Sequence, residues 1–408
     1  MDLIERNITS KIEKYIETPD VIVIHGARQV GKTSIMKFIQ DKLDSDSKQT
    51  YFVDLEDSRI LEVFNEGPES VLKYLDERNA RKKEGKLYFF IDEIQYLKDP
   101  SNFLKLMHDH YKTKIKLIVS GSSSFEIKTK FKDSLVGRTI SFDVYPLSFS
   151  EYLVFTKCDI DATKHKFTKA ANDELKKYYK EYVLYGGYPR IALERGIEEK
   201  ELYLQQIIDT YIRKDIRDVA QISDISKFNK LLEILASQSG NMINVFELAN
   251  TARLSRQTVE HYLFIMENTY IIKLLNPFST NIRSELFKTP KIYFNDTGIA
   301  QLLWLKTFQK TMLGNMFENS VFSELIKNCE KNEIFYWRTQ DKKEIDFIIR
   351  KGKEIMPVEV KLNESGINTT AIRYFIERYH LKKGICICFD KQKEITAEYN
   401  IFFPWEFL

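Results

Sequence analysis

Cysteine is scarce in this 408-residue chain, and the scarcity sets the first limits. The four cysteines, at 158, 329, 386 and 388, show no metal-ligand spacing, which argues against a zinc-held architecture. Cys386 and Cys388 alternate with Ile385, Ile387 and Phe389. That pattern reads as a core strand with both thiols on one face, a poor geometry for a disulfide. Such usage suits a reducing compartment. Long apolar runs are missing as well, so no stretch is expected to cross a bilayer. Met1 to Ser10 is polar and charged rather than leader-like, and the expectation is a cytoplasmic protein with no membrane partner. Charge of one sign is also lacking: 62 Lys and Arg face 59 Asp and Glu, a net charge of +3. Bulk electrostatics therefore demand no nucleic-acid partner, although local patches remain open. Internal repeats and low-complexity tracts are absent. What is present is a 43% hydrophobic composition, as in globular proteins, over a length sufficient for several domains.

The chain is organised around Ile22 to Met36, which reads IVIHGARQVGKTSIM. Val21 to Ile24 is a β-branched run, expected as a short buried strand. It leads into Gly26-Ala27-Arg28-Gln29-Val30-Gly31-Lys32-Thr33, then Ser34. This is G-x-x-x-x-G-K-T, a phosphate-binding P-loop in its strand–loop–helix context. Gly26 and Gly31 permit positive φ, so the loop N–H groups can form a nest for phosphate oxygens. The helix starting at Lys32 adds its positive end. Lys32 is expected to reach the β- and γ-phosphates and Thr33 to ligate Mg²⁺. ATP and Mg²⁺ are the implied cofactors.

Further strands are expected at 50–55, 87–91, 116–119 and 139–144, alternating with helices such as 60–75. A first helix is expected over residues 1–20, where Ile4, Ile8, Ile12 and Ile16 recur every four. The pattern predicts an α/β domain with a doubly wound parallel sheet. Leu87 to Ile91 is apolar throughout, as a strand buried on both faces must be, and it ends in Asp92-Glu93. Asp92 is placed to hold the Mg²⁺ shell, and Glu93 to polarise an attacking water as general base. Ser120 and Ser122, at the end of the next apolar strand, can serve as γ-phosphate sensors or simply make a turn.

With those motifs in view, residues 20–150 resemble the AAA-like P-loop ATPases of archaea and bacteria. The run Leu135-Val136-Gly137-Arg138, the stretch Tyr145 to Leu153 and Gly186-Gly187-Tyr188-Pro189 extend the resemblance over most of the chain. It implies a C-terminal domain similar to the restriction-endonuclease fold. It also makes Arg138 an arginine-finger candidate, with an ordinary surface arginine as the alternative. Whether Arg138 would act within or between subunits, and whether the chain is a homo-oligomer, stay open. Arg28 is expected to order the loop or to face the nucleotide.

The resemblance divides the chain into a P-loop domain (1–153), a helical lid (154–238), a winged helix (239–300) and a nuclease-like domain (301–408). In the lid, Lys169 to Tyr185 and Lys200 to Val219 read as helices. In the winged helix, Ser255 is a good N-cap. Val259, Tyr262, Leu263 and Met266 share an apolar face. Arg256 and Gln257 therefore project where a recognition helix meets base edges, and protein contact is the alternative. His261 reads as a surface residue.

The last segment carries a second constellation. Ile345 to Ile349 and Ile355 to Leu362 read as a hairpin. Period-2 alternation puts Glu359 and Lys361 on one strand face, and Asp346 lies across the hairpin. This is the D…E-x-K pattern of nuclease-like domains, in which Asp346 and Glu359 hold a metal and Lys361 orients water. The family adds a glutamate from a preceding helix, here 317–328. Glu318 has Val321, Phe322 and Leu325 on its stripe, whereas Glu324 lies among Ser320, Lys327 and Asn328. A charge on an apolar stripe needs a partner, so Glu318 is the choice and Glu324 is expected on the polar side. Trp337-Arg338 either meets a nucleic-acid backbone or packs. The expected function is a Mg²⁺-dependent ATPase coupled to DNA binding and, through the last domain, to DNA cleavage. The alternative is an ATP-driven switch that recruits proteins around a silent nuclease-like scaffold.

Overall fold

The apolar runs of the N-terminal third become strands because a parallel sheet covered on both faces needs side chains that can be buried on either. The computed structural model of the chain describes residues 3–80, 85–121, 135–161, 164, 166–219, 222, 224–279, 289–329 and 333–407. Strands β1 (Val21–Gly26), β2 (Gln49–Asp54), β3 (Leu87–Asp92), β4 (Ile115–Gly121) and β5 (Thr139–Val144) form a parallel sheet in the order β2-β3-β4-β1-β5. Every residue of β1, β3 and β4 is buried. Because β1, β4 and β3 run parallel, the loop after β1 and the carboxylates closing β3 emerge at the same carboxyl end of the sheet, where α/β folds bind ligands.

Three helices differ from the sequence reading, each for a local reason. The first runs only from Asn7 to Glu13. Past it, the buried Lys116 ammonium takes the carbonyls of Tyr15, Thr18 and Asp20 at 2.7, 2.9 and 2.6 Å. The 60–75 stretch is two helices, Ser58–Glu66 and Pro68–Glu77. They break at Gly67, whose φ is +115°, and Pro68 starts the second, a position where its missing N–H costs nothing. The helix expected over 200–219 is α-helical over Ile197–Thr210 and then π-helical over Tyr211–Val219.

The chain packs as two compact units. One comprises Met1–Tyr145 with Thr210–Ile222 and Asn268–Tyr270; the other comprises the remainder. In the second unit, helices Ile225–Ser237, Val245–Ala252 and Arg256–Asn268 precede antiparallel β6 (Ile272–Leu275) and β7 (Lys291–Phe294). The C-terminal sheet runs β12-β11-β10-β9-β8, built from β8 (Ile334–Arg338), β9 (Glu344–Lys351), β10 (Glu354–Asn363), β11 (Gly384–Asp390) and β12 (Tyr399–Phe402). The first three are antiparallel. Helix Thr369–Tyr379 then returns the chain to β11, which is parallel to β10. Phe375, Ile372 and Trp337 share a core with Cys386 and Cys388, so both thiols are buried strand residues as their alternation indicates. Among the described residues, no helix is long and apolar enough to cross a membrane.

Candidate functional site

The P-loop geometry begins with two glycines. Gly26 has φ +157°, and a Cβ there would lie 2.3 Å from the Val144 carbonyl oxygen. Gly31 is left-handed at φ 98° and caps the helix Lys32–Ser45. Ala27 and Val30 are buried, so these positions present backbone rather than side chain to a ligand. Val30 is further fixed by Arg6 Nη1, which donates to its carbonyl at 2.8 Å. Gln29 and Ser34 are exposed. Lys32 Nζ donates to the carbonyls of Gly26 at 3.1 Å and Ala27 at 2.9 Å. Burial pushes the Lys32 pKa down, while Glu93, Asp92 and Asp215 oppose that shift.

The carboxylates meet this loop directly. Thr33 Oγ1 donates to Asp92 Oδ2 at 2.5 Å. Ser120 Oγ donates to Asp92 Oδ1. The Glu93 N–H donates to Asp92 Oδ1 at 3.1 Å and to Ser120 Oγ at 3.3 Å. Glu93 itself has φ 57°, a left-handed conformation unusual for a residue with a side chain and often retained at functional sites. The Gln95 amide donates to the Glu93 carboxylate. Lys32, Thr33, Asp92, Glu93 and Ser120 are thus brought together. Ser122 lies outside the described residues. The Thr33–Asp92 pair suits a small hard cation with oxygen ligands.

Two further residues join from far along the chain. Arg28 Nε donates to both Asp215 carboxylate oxygens, at 3.1 and 3.0 Å, with both residues buried. Burial disfavours the Arg28 charge, yet Asp215 and Glu93 hold its pKa above the ordinary value. Lys214 Nζ donates to Glu56 at 2.7 Å. Sequence reasoning missed Asp215. Its one visible signal is the acid inside the otherwise basic Arg213-Lys214-Asp215-Ile216-Arg217.

Arg138 is placed elsewhere. Its backbone carbonyl accepts from Val21 at the start of β1, and its guanidinium donates to Asp109 at 2.7 and 3.1 Å. It therefore sits at the N-terminal end of β1, the end opposite the one from which the P-loop emerges.

In the helix Arg256–Asn268, the predicted apolar residues Val259, Tyr262, Leu263 and Met266 are buried. Arg256 and Gln257 are exposed in its first turn, with Arg256 paired to Glu260 at 2.9 Å. His261 is exposed.

The C-terminal constellation assembles in part. Lys361 Nζ lies 2.8 Å from Glu359 Oε1 and 3.2 Å from Asp346 Oδ2. The Val360 N–H also donates to Asp346 Oδ2 at 2.8 Å. A bulge assists: Trp337 pairs with Ile345, but Phe335 pairs with Ile348, so β9 carries one extra residue beside Asp346, a device that re-aims side chains. Burial and then Asp346 push the Glu359 carboxyl up to about 8, with Lys361 opposing. Among the described residues, Glu359 Oε2 is buried without a hydrogen-bond partner.

Glu318 accepts from Tyr293 Oη at 2.6 Å and lies 3.6 Å from Lys291 Nζ. Burial and then Asp346 push its carboxyl up to about 7. Lys291 also pairs with Glu344 at 2.7 Å. Among the described residues, no three His, Cys, Asp or Glu side chains are arranged to hold a metal ion. Glu318, Asp346 and Glu359 are close enough to act electrostatically on one another, with Lys361 and Lys291 interleaved among them. The expectation for Glu324 is reversed. It is 2% exposed and accepts from the Phe149 N–H, Tyr182 Oη and Lys327 Nζ, because the helix Gly314–Asn328 is buried on more than one side.

Parts of the chain are similar to known proteins. Residues 18–153 match the family described as an AAA domain. Residues 176–311 and 313–408 match domains of unknown function, DUF8612 and DUF4143 respectively. An uncharacterised protein of Methanocaldococcus jannaschii is 28% identical over 369 residues, spanning 88% of this chain and 78% of the relative. One from Haemophilus influenzae is 26% identical over 362 residues, spanning 87% and 85%. Among solved structures, AMPPCP-bound DnaA from Aquifex aeolicus is 17% identical, covering 65% of this chain and 89% of that one at a TM-score of 0.29. C. elegans PCH-2 is 16% identical, covering 63% and 65% at a TM-score of 0.29.

Proposed function

We propose that the AAA-type P-loop ATPase domain of residues 18–153 hydrolyses Mg²⁺-ATP and couples that cycle to DNA. The observation that carries the reading is the 2.5 Å contact between Thr33 Oγ1 and Asp92 Oδ2, which supplies two oxygen ligands at the foot of a phosphate-binding loop. Bound Mg²⁺ would offset the charge of the β- and γ-phosphates. Lys32 exchanges its loop carbonyls for phosphate oxygens, which are stronger acceptors because they are charged. The N–H groups of Gly26 to Thr33, with Ser34 beside them, complete the cradle. Glu93 accepts the proton of the attacking water, and Ser120 holds Asp92 in place through its hydroxyl. The Gln95 amide donates to Glu93 Oε2 and leaves Oε1 to take the proton.

DNA is the proposed partner, contacted by Arg256 and Gln257 at the start of an exposed helix. Arg138 then serves a neighbouring subunit, which makes a homo-oligomer part of the reading. The decisive experiment is ATP turnover by the purified chain and by Glu93→Gln, with and without duplex DNA. Stimulation by DNA supports the coupling. Equal turnover with and without DNA favours the alternative, a nucleotide switch recruiting protein partners.

A second reading, DNA cleavage by a restriction-endonuclease-like domain at 301–408, has one observation in its favour. Glu359 Oε2 is a buried oxygen without a partner among the described residues, beside Asp346. These two carboxylates fit a metal pair; Glu318, tied to Tyr293 and Lys291, does not fit as a third ligand. Incubation with linear, single-stranded and branched DNA, with Mg²⁺ or Mn²⁺, separates an active nuclease from a silent scaffold.

A further inference from the structure

We propose that Asp215 is a positioning residue that competes with the nucleotide's phosphates for the P-loop cation Arg28, so that ATP binding loosens the Thr210–Ile222 segment. The inference rests on the ATP reading of the P-loop. Its basis is the buried pair: Arg28 Nε lies 3.1 and 3.0 Å from the two Asp215 oxygens, with side chains 8% and 3% exposed.

Arg28 sits inside the loop whose N–H groups would hold phosphate, four residues before Lys32. Asp215 is close enough to act electrostatically on Lys32 and Glu93 as well as on Arg28. An arriving polyphosphate would bring several negative charges into this low-dielectric space, where Coulomb terms are large. Arg28 and Lys32 are the cations of the loop, and Asp215 is the carboxylate that already holds Arg28. Drawing Arg28 toward phosphate strips Asp215 of its partner, and a buried carboxylate without a partner is strongly disfavoured.

The element that carries Asp215 is suited to respond. Tyr211–Val219 is π-helical, a rare geometry that recurs at functional sites. Three side-chain ties hold its first half: Tyr211 Oη to Thr269 Oγ1 at 2.9 Å, Lys214 to Glu56 at 2.7 Å, and Asp215 to Arg28. The segment is continuous in sequence with helix Ile197–Thr210 on one side and precedes helix Ile225–Ser237 on the other. A change at Arg28 is thereby passed to chain outside the P-loop unit. Linkage makes the effect reciprocal: whatever holds the segment in place weakens ATP binding by the same factor.

The test uses the full chain, with ATPγS and ADP in Mg²⁺ buffer as probes. Asp215→Asn removes the rival charge with little change in shape, so ATPγS affinity should rise by about threefold to tenfold, more than ADP affinity. Arg28→Ala should move ATPγS affinity the opposite way. Hydrogen exchange over residues 210–217 should quicken in the wild type on adding ATPγS, less with ADP, and not respond in Asp215→Asn. If Asp215→Asn does not fold, exchange in Arg28→Ala reads the same pair: it should be fast before any nucleotide is added. Weaker ATPγS binding in Asp215→Asn, or an exchange response equal to wild type in either variant, overturns the inference while leaving the ATP reading intact. Wild-type protein that binds no ATPγS removes both.

Discussion

Thr33 Oγ1 and Asp92 Oδ2 lie 2.5 Å apart although 59 residues separate them in sequence. The contact unites the first turn of the P-loop helix with the end of β3, across an intervening strand. Thr33→Ala and Asp92→Asn should therefore each weaken ATP binding in Mg²⁺ more than in EDTA. Lys32→Ala should abolish binding in both. Glu93→Gln should keep binding and lower turnover by about 10²-fold or more, the range for removing a general base. Fluorescent-nucleotide titration and phosphate release measure the two halves. Wild-type turnover in Glu93→Gln would refute the base assignment.

Arg138 is paired with Asp109 at the end of β1 away from the P-loop. Arg138→Ala should leave ATP affinity within about twofold of wild type, because a rim arginine contributes little to a distant site. If it acts on a neighbouring subunit, the turnover deficit will appear only at protein concentrations where subunits associate. A tenfold loss of affinity in dilute protein would place Arg138 in its own subunit's site.

Asp215 gives a pH dependence with a defined sign. The charged groups facing it are Arg28, Lys32 and Glu93; burial pushes its carboxyl from an ordinary 3.8 up to about 6, against the pull of Arg28 and Lys32. Between those values the folded chain holds a proton that the unfolded chain releases. The resulting contribution to stability is complete below 3.8 and is lost as pH rises through 6. Asp215→Asn cannot titrate, so its unfolding midpoint should fall less than that of wild type between about pH 4 and 7. Parallel urea titrations across that range decide it; identical slopes would mean Asp215 titrates normally.

Glu324 and Glu318 should behave oppositely. Glu324→Ala removes the acceptor for Tyr182 and the partner of the buried Lys327, and should cost about 3–5 kcal/mol. Glu318→Gln keeps an acceptor for Tyr293 and should stay within about 1.5 kcal/mol of wild type. Chemical denaturation of both variants checks the ranking.

Arg256→Ala should weaken duplex binding and reduce its salt dependence, while DNA-free ATP turnover stays unchanged. Equal gel-shift affinity for variant and wild type would favour protein contacts on this helix.

The P-loop unit was largely legible because its signals are local. Five apolar runs gave five strands, and the residues that meet at their ends stand within a few positions of those ends. Glu359 and Lys361 were legible for the same reason, since strand alternation alone places them together. Lys291, Tyr293 and Asp215 were not, because each reaches its partner from a separate element with no shared period. Glu324 was misplaced by a sound rule applied outside its range. An apolar stripe marks one buried face, but a helix packed on several sides buries its polar residues too, each satisfied by a partner that sequence cannot name. The break at Gly67-Pro68 is a turn signal that outweighs the longer hydrophobic period running through it.

The long sequence separation within the P-loop unit has a consequence for synthesis. Arg28 and Asp215 are 187 residues apart, and the unit also includes Asn268–Tyr270. At typical translation rates, roughly 10–40 s pass between the emergence of Arg28 and that of its partner. Strand β5 ends at Val144, so during the later part of that interval the completed strands carry a loop whose arginine lacks its carboxylate. On the competition proposed for Asp215, ATP would meet that loop before its rival has been synthesised.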